Sequence, residues 1–94
     1  MTHVVVRSAP VLDELVGDNG AVVLMVHETT HRVVRLSVLG HTIRELAADG
    51  ISSRVLERAL VERLGTPDTA DVQALVKAAV DDLAAEGLVT VDGQ

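Results

Sequence analysis

Ninety-four residues set the scale of one domain. Apolar residues are 48% of the chain, yet it has no Phe, Tyr or Trp, so the core must be aliphatic. A domain this small buries limited surface and gains from oligomerisation or from docking onto a partner protein. The net charge is −6, with only eight Lys and Arg, which disfavours nucleic acid as a partner because phosphate binding needs a basic face.

The few bases cluster loosely as Arg32, Arg35 and Arg44, then Arg54, Arg58 and Arg63. Lys77 stands alone against six acids from Asp68 to Asp92. There is no Cys, which excludes disulfides, cysteine nucleophiles and thiolate metal sites. The apolar run in MTHVVVRSAP is too short for the core of a signal peptide. No stretch reaches the ~20 apolar residues of a membrane span. The expectation is a cytoplasmic domain with no membrane partner.

In chain order, HVVVR at 3–7 is a short β-branched run that Pro10 ends or confines to a sheet edge. VLDELV at 11–16 fits either a helical turn or a short strand, and GDNG at 17–20 is a turn signal. AVVLMV at 21–26 and HRVVRLS at 31–37 read as two strands joined by a hairpin-length connection. In the second strand Arg32, Val34 and Leu36 share one face, with Val34 and Leu36 as core residues; His31, Val33 and Arg35 share the other.

Ser37 is placed to cap a helix over 38–48, with Leu39, Ile43 and Leu46 on one face and Asp49-Gly50 as its stop. Ser52 or Ser53 caps a second helix, with Val55, Leu56, Ala59, Leu60 and Leu64 inward and Gly65 at its end. Thr66-Pro67 opens a third helix over 67–86, with Asp68 and Asp71 near its positive end. Val72, Val76, Ala79 and Leu83 form its buried stripe, and Gly87 ends it. LVTV at 88–91 is a last strand or an extended tail. Strands first and three helices after predict an α+β fold, the order of a winged helix-turn-helix.

HETTH at 27–31 matches the letters H-E-x-x-H. The zinc version of that motif needs a helix, where His at i and i+4 share a face. Here it lies between two β-branched runs and contains two Thr, which predicts a turn. His27 and His31 would still need a third ligand, with His41 and His3 the remaining histidines. No metal or other cofactor is expected. Ser8, Ser37, Ser52 and Ser53 read as turn or cap residues. Asp81 and Asp82 point about a hundred degrees apart on a helix. The glycines at 17, 20, 40, 50, 65 and 87 are punctuation rather than a phosphate loop. No catalytic constellation emerges, so the chain is read as a non-enzyme. Arg32 and Arg35 on the second hairpin strand have two readings: charges that protect a sheet edge from aggregation, or charges flanking an edge that accepts a peptide as an added strand.

LSVLGHTIREL at 36–46, then Asp49-Gly50, VLERALVERLG and a Pro-led helix closing on DDLAAEGLV resemble the PqqD family. These are the precursor-peptide recognition domains of ribosomally made, post-translationally modified peptide biosynthesis. Leu36, Ser37, Gly40, Ile43, Leu46, Asp49, Gly50, Leu60, Leu83, Gly87 and Leu88 fall on the family's pattern, and the resemblance covers about residues 21–91. Leu39 stands where the family usually has Thr. Without aromatics, any anchor for the peptide must be aliphatic or charged.

The resemblance implies a three-stranded antiparallel sheet on three helices. It also implies binding of the leader segment of a precursor peptide, by strand addition to the third sheet strand beside the third helix. Carried over, that strand is Arg32, Val33, Val34, Arg35, Leu36 and Ser37. A helical wheel puts Leu75, Ala78 and Asp82 on one flank of the third helix and Gln73, Val80 and Ala84 on the other. The first flank is favoured, for its apolar floor and polar rim. The implied partners are a leader peptide and a separate modifying enzyme or leader peptidase; the oligomeric state stays open. The competing readings are a winged-helix DNA-binding regulator using the second or third helix and a metal-dependent hydrolase using HETTH.

Overall fold

The computed structural model describes residues 4–66 and 71–93. Its elements are β1 (Val4–Ser8), β2 (Asp13–Gly17), β3 (Gly20–His27), β4 (Thr30–Leu36), α1 (Val38–Leu46), β5 (Ile51–Ser52), α2 (Ser53–Leu64), α3 (Val72–Ala85) and β6 (Val89–Gly93). The class is α+β, with two three-stranded antiparallel sheets and three helices among the described residues. Among the described residues no helix is long and apolar enough to cross a membrane.

Residues 20–36 form a two-residue hairpin: His27 pairs with Thr30 across Glu28 and Thr29. The ambiguous stretch before it is a strand. β2 pairs with β3 through a second two-residue turn at Asp18 and Asn19, giving the order β2-β3-β4. The N-terminal run does not join this sheet. β1 lies between β5 and β6 in a second three-stranded sheet, pairing Val6 with Val91 and with Ile51.

Local chemistry starts and stops the helices. Ser37 Oγ accepts from the Gly40 amide (3.1 Å), Ser52 Oγ from the Val55 amide (3.3 Å) and Asp71 Oδ1 from the Gln73 amide (2.9 Å). Each satisfies an amide that has no partner within its helix. The third cap corrects the expected start of the last helix, since Asp71 is its cap and Val72 its first residue. Pro67 and Asp68 lie outside the described residues. At the other end, Gly87 is left-handed (φ 79°), which lets the Leu88 amide reach back to the Leu83 carbonyl (2.9 Å).

The core lies between the β2-β3-β4 sheet and the helices and extends to the second sheet. Ile43, Leu56, Leu88, Val6 and Val23 are its largest fully buried side chains. Three expectations about facing are corrected. Val55 and Leu64, expected inward on α2, are 48% and 47% exposed, while Leu56 and Leu60 carry that contact. Val80, assigned to a flank of α3, is buried with Val76 and Leu83. A 14-residue helix wedged between a sheet and a helix buries an arc wider than one i, i+4 row.

β2 is exposed along its whole length, so hydrophobic burial does not hold it. A polar cluster ties it down. Arg44 on α1 is 9% exposed. Its Nη2 donates to the Ala9 carbonyl (2.7 Å), its Nε reaches the Leu88 carbonyl (3.4 Å), and its Nη1 stands 3.5 Å from Glu14 of β2. His41, one turn earlier, sits between Glu14 and Glu45 at 3.1 and 3.4 Å. Its Nδ1 lies out of line with the Glu14 oxygen and makes no hydrogen bond. A buried guanidinium is tolerated only when its donors are matched. Removing it takes the side-chain donor from the Ala9 carbonyl and the nearby positive charge from Glu14, and empties a buried site. Arg44→Ala should lower unfolding stability by about 3 kcal/mol. Urea denaturation would read this as a lower midpoint at unchanged slope, and Arg44→Lys should fall between, since an ammonium cannot reproduce the planar fork.

Candidate functional site

The sequence motif that invites a metal reading is taken apart by the fold. HETTH forms the tip of the β3–β4 hairpin. Position 27 is paired with Thr30 and His31 with Val26, so the two positions have opposite strand parity and lie on opposite faces of the ribbon. Among the described residues no three His, Cys, Asp or Glu side chains gather as a metal set. Glu28 takes a left-handed conformation (φ 58°) at the first turn position, where a hairpin of this length favours Gly.

The strand after this tip is an edge. β4 pairs with β3 alone, so one side of it is unpaired among the described strands. In a two-residue hairpin the closing pair exchanges both hydrogen bonds, and bonded pairs then alternate along the ribbon. From His27 and Thr30, that alternation directs the amides and carbonyls of Arg32, Val34 and Leu36 at β3. Those of His31, Val33 and Arg35 point to the open side. The opposite flank of β3 agrees, because the Leu24 carbonyl accepts from Leu12 on the β2 side (2.8 Å).

A groove of about 510 Å³ runs beside this edge, between β4 and α3. Val34, Leu36 and Leu39 form one wall; Leu75, Ala78, Ala79 and Leu83 form the other wall and the floor; Asp82 and Glu86 stand on the α3 rim. Alternation places Val34 and Leu36 there, and helical spacing places Leu75, Ala78, Asp82 and Glu86 along one flank. At the hairpin end Arg32 reaches across and pairs with Glu86 at 2.5 Å. Both side chains are about 40% exposed (41% and 42%), so this pair contributes at most about 1 kcal/mol. At the other end Gly20 lies so close that a Cβ there would collide with the Leu36 carbonyl oxygen, and its φ is 130°.

Of the nine residues that sequence reasoning assigned to this site, seven line one groove: Val34, Arg35, Leu36, Ser37, Leu75, Ala78 and Asp82. Arg32 is engaged with Glu86 at its end. Val33 turns its side chain to the outer face of the sheet, 70% exposed, and adds its backbone to the open edge. Sequence reasoning missed Glu86, which is four residues beyond Asp82 and so lies on the same flank. Leu39, on the inward face of α1, and Ala79 and Leu83, in the buried stripe of α3, also line the groove. Arg54 and Arg58 of the alternative nucleic-acid face are exposed on α2, and Arg63 stands 3.6 Å from Glu45.

No family model, curated protein or solved structure matches this chain. Two substitutions probe the frame of the site. Gly20→Ala should cost about 2–4 kcal/mol through strain and collision at the end of β4, read by thermal or urea unfolding. Glu28→Gly should raise stability by about 0.5–1 kcal/mol by removing the left-handed strain, seen as a higher melting temperature.

Proposed function

We propose that this chain is a PqqD-like recognition domain. It binds the leader segment of a precursor peptide and carries out no chemistry itself. The leader adds as a fourth strand to the open edge of β4 and lays alternate side chains into the groove walled by α3. The bound precursor is thereby delivered to a separate modifying enzyme or leader peptidase.

One observation carries this reading: an unpaired strand edge lies directly along an apolar groove of about 510 Å³. Open edges are template sites for another strand, and natural proteins usually cover or charge them. Of the two charges on this edge strand, Arg32 is engaged with Glu86 and Arg35 is exposed on the outer face, away from the groove floor. Val33 is the side chain between His31 and Arg35 on the outer face, and the groove beside the edge is lined with aliphatic carbon. Main-chain pairing supplies affinity with little demand on sequence, and alternate side chains in the groove supply selectivity. A disordered leader loses entropy on ordering, which holds affinity to a moderate level. Holding the leader raises the effective concentration of the tethered core peptide at the enzyme. The DNA-binding alternative finds less support. α3 exposes Asp81 and Asp82, and its Lys77 is paired with Asp81 at 2.9 Å, so that helix presents no basic face to phosphate.

The test is a titration with the leader of a short precursor encoded beside this gene. Binding should show a Kd on the order of 1 μM, with amide shifts concentrated in residues 31–37 and along the flank of α3 from Leu75 to Glu86. Val33→Pro removes an amide that faces the open side and is compatible with an edge strand. Ala78→Trp fills the groove at an exposed position. Each should leave the fold intact and weaken binding about tenfold or more. Shifts confined to other surfaces, or full binding by both variants, would refute the reading.

A further inference from the structure

The groove also specifies the chemistry of the segment it accepts. We infer that the preferred occupant is an extended segment of the form apolar–acidic–apolar, its acidic side chain set beside Arg35 and the two flanking side chains buried in the groove. This inference rests on the strand-addition reading above.

A strand added to β4 places its side chains alternately on the two faces of the extended sheet, whichever direction it runs. Residues level with Val34 and Leu36 turn inward to the groove. The residue between them, level with Arg35, turns outward. The inward positions meet Leu75, Ala78 and Leu83, which leave room for two bulky aliphatic or aromatic side chains.

The outward position meets Arg35, which is exposed and has no ion-pair partner among the described residues. Opposite charges directly across a sheet ladder attract, and like charges repel. The acid is confined to this outward position by the other rim. Asp82 and the Arg32-paired Glu86 stand on the α3 side of the groove, so an inward carboxylate would approach the Asp82 carboxylate over an apolar floor. The apolar pair is bounded as well. A third inward side chain toward the hairpin would meet the Arg32–Glu86 ion pair instead of aliphatic carbon.

A phage library of random short peptides, panned separately on the wild-type protein and on Arg35→Glu, tests this. The wild type should enrich apolar–acidic–apolar segments and Arg35→Glu apolar–basic–apolar ones. Synthetic versions of the best binder with Asp or Lys at the central position should then differ about fivefold in Kd on the wild type, with the order reversed on Arg35→Glu. Arg35→Lys should keep the wild-type order. Arg35 is exposed, so these variants should retain the wild-type amide spectrum elsewhere. Selected peptides that shift the amides of residues 31–37 but show no central acid, or no reversal on Arg35→Glu, overturn this inference and leave the strand-addition reading standing. Selected peptides that bind elsewhere, or a library that yields no binder to this groove, overturn both.

Discussion

The guanidinium of Arg44 is the point at which the two sheets meet. It projects from α1, which packs against the β2-β3-β4 sheet, and its donors reach the carbonyl of Ala9, just after β1, and that of Leu88, just before β6. It also approaches Glu14 on β2. The Ser8 hydroxyl donates to the Arg44 carbonyl, and the Ala9 amide to the Leu88 carbonyl. In an aliphatic core without a single ring, directional polar contacts fix what dispersion leaves loose. A side chain with several fixed donors suits a junction of chain segments that present only carbonyls.

The functional consequence lies on the opposite side of that sheet. β2, laddered to β3 and tied through Glu14 to the polar cluster, occupies one edge, and the second edge belongs to β4. β1 leaves that edge open, since it pairs with β5 and β6 in the second sheet. α3, anchored by Val76, Val80 and Leu83 in the core, runs alongside β4 without closing on it. Its exposed flank and the inner face of β4 become the walls of one groove. The Arg32–Glu86 pair joins those walls at one end, and the tight approach of Gly20 to Leu36 fixes the other. The opening between them is therefore a product of packing, with rigid elements on both sides and an unpaired backbone along one of them.

Much of this was legible in the chain. The hairpin, the Ser37 cap, a serine cap at 52 or 53 and the terminal glycines of the second and third helices all follow from side chains acting on their own backbone neighbourhood. The inward pair Val34 and Leu36, and the flank Leu75, Ala78 and Asp82, follow from periodicity of two and of about 3.6. Errors arose where periodicity alone had to say how wide a buried face is. Periodicity puts Val80 on a flank, where it is core, and puts Val55 and Leu64 in the core, where they are half exposed. The helical wheel gives relative directions, and the depth to which neighbours wrap around a helix is set elsewhere.

Sequence by itself determined the β3–β4 hairpin, the three helices with the starts of the first two and the glycine stops of the last two, and which residues of the hairpin share a face; it left 11–16 and 88–91 open and began the third helix too early. The features it determined are local consequences of sterics, capping and hydrophobic period. Tertiary structure alone decided that β1 pairs with β6, which strand was left at the edge, and that α3 stands off from that edge by the width of a groove. Backbone hydrogen bonding is nearly the same for every sequence, so the chain carries little local signal of which distant strands will pair. Whether an edge stays open is settled only when the competing strands have found their own partners.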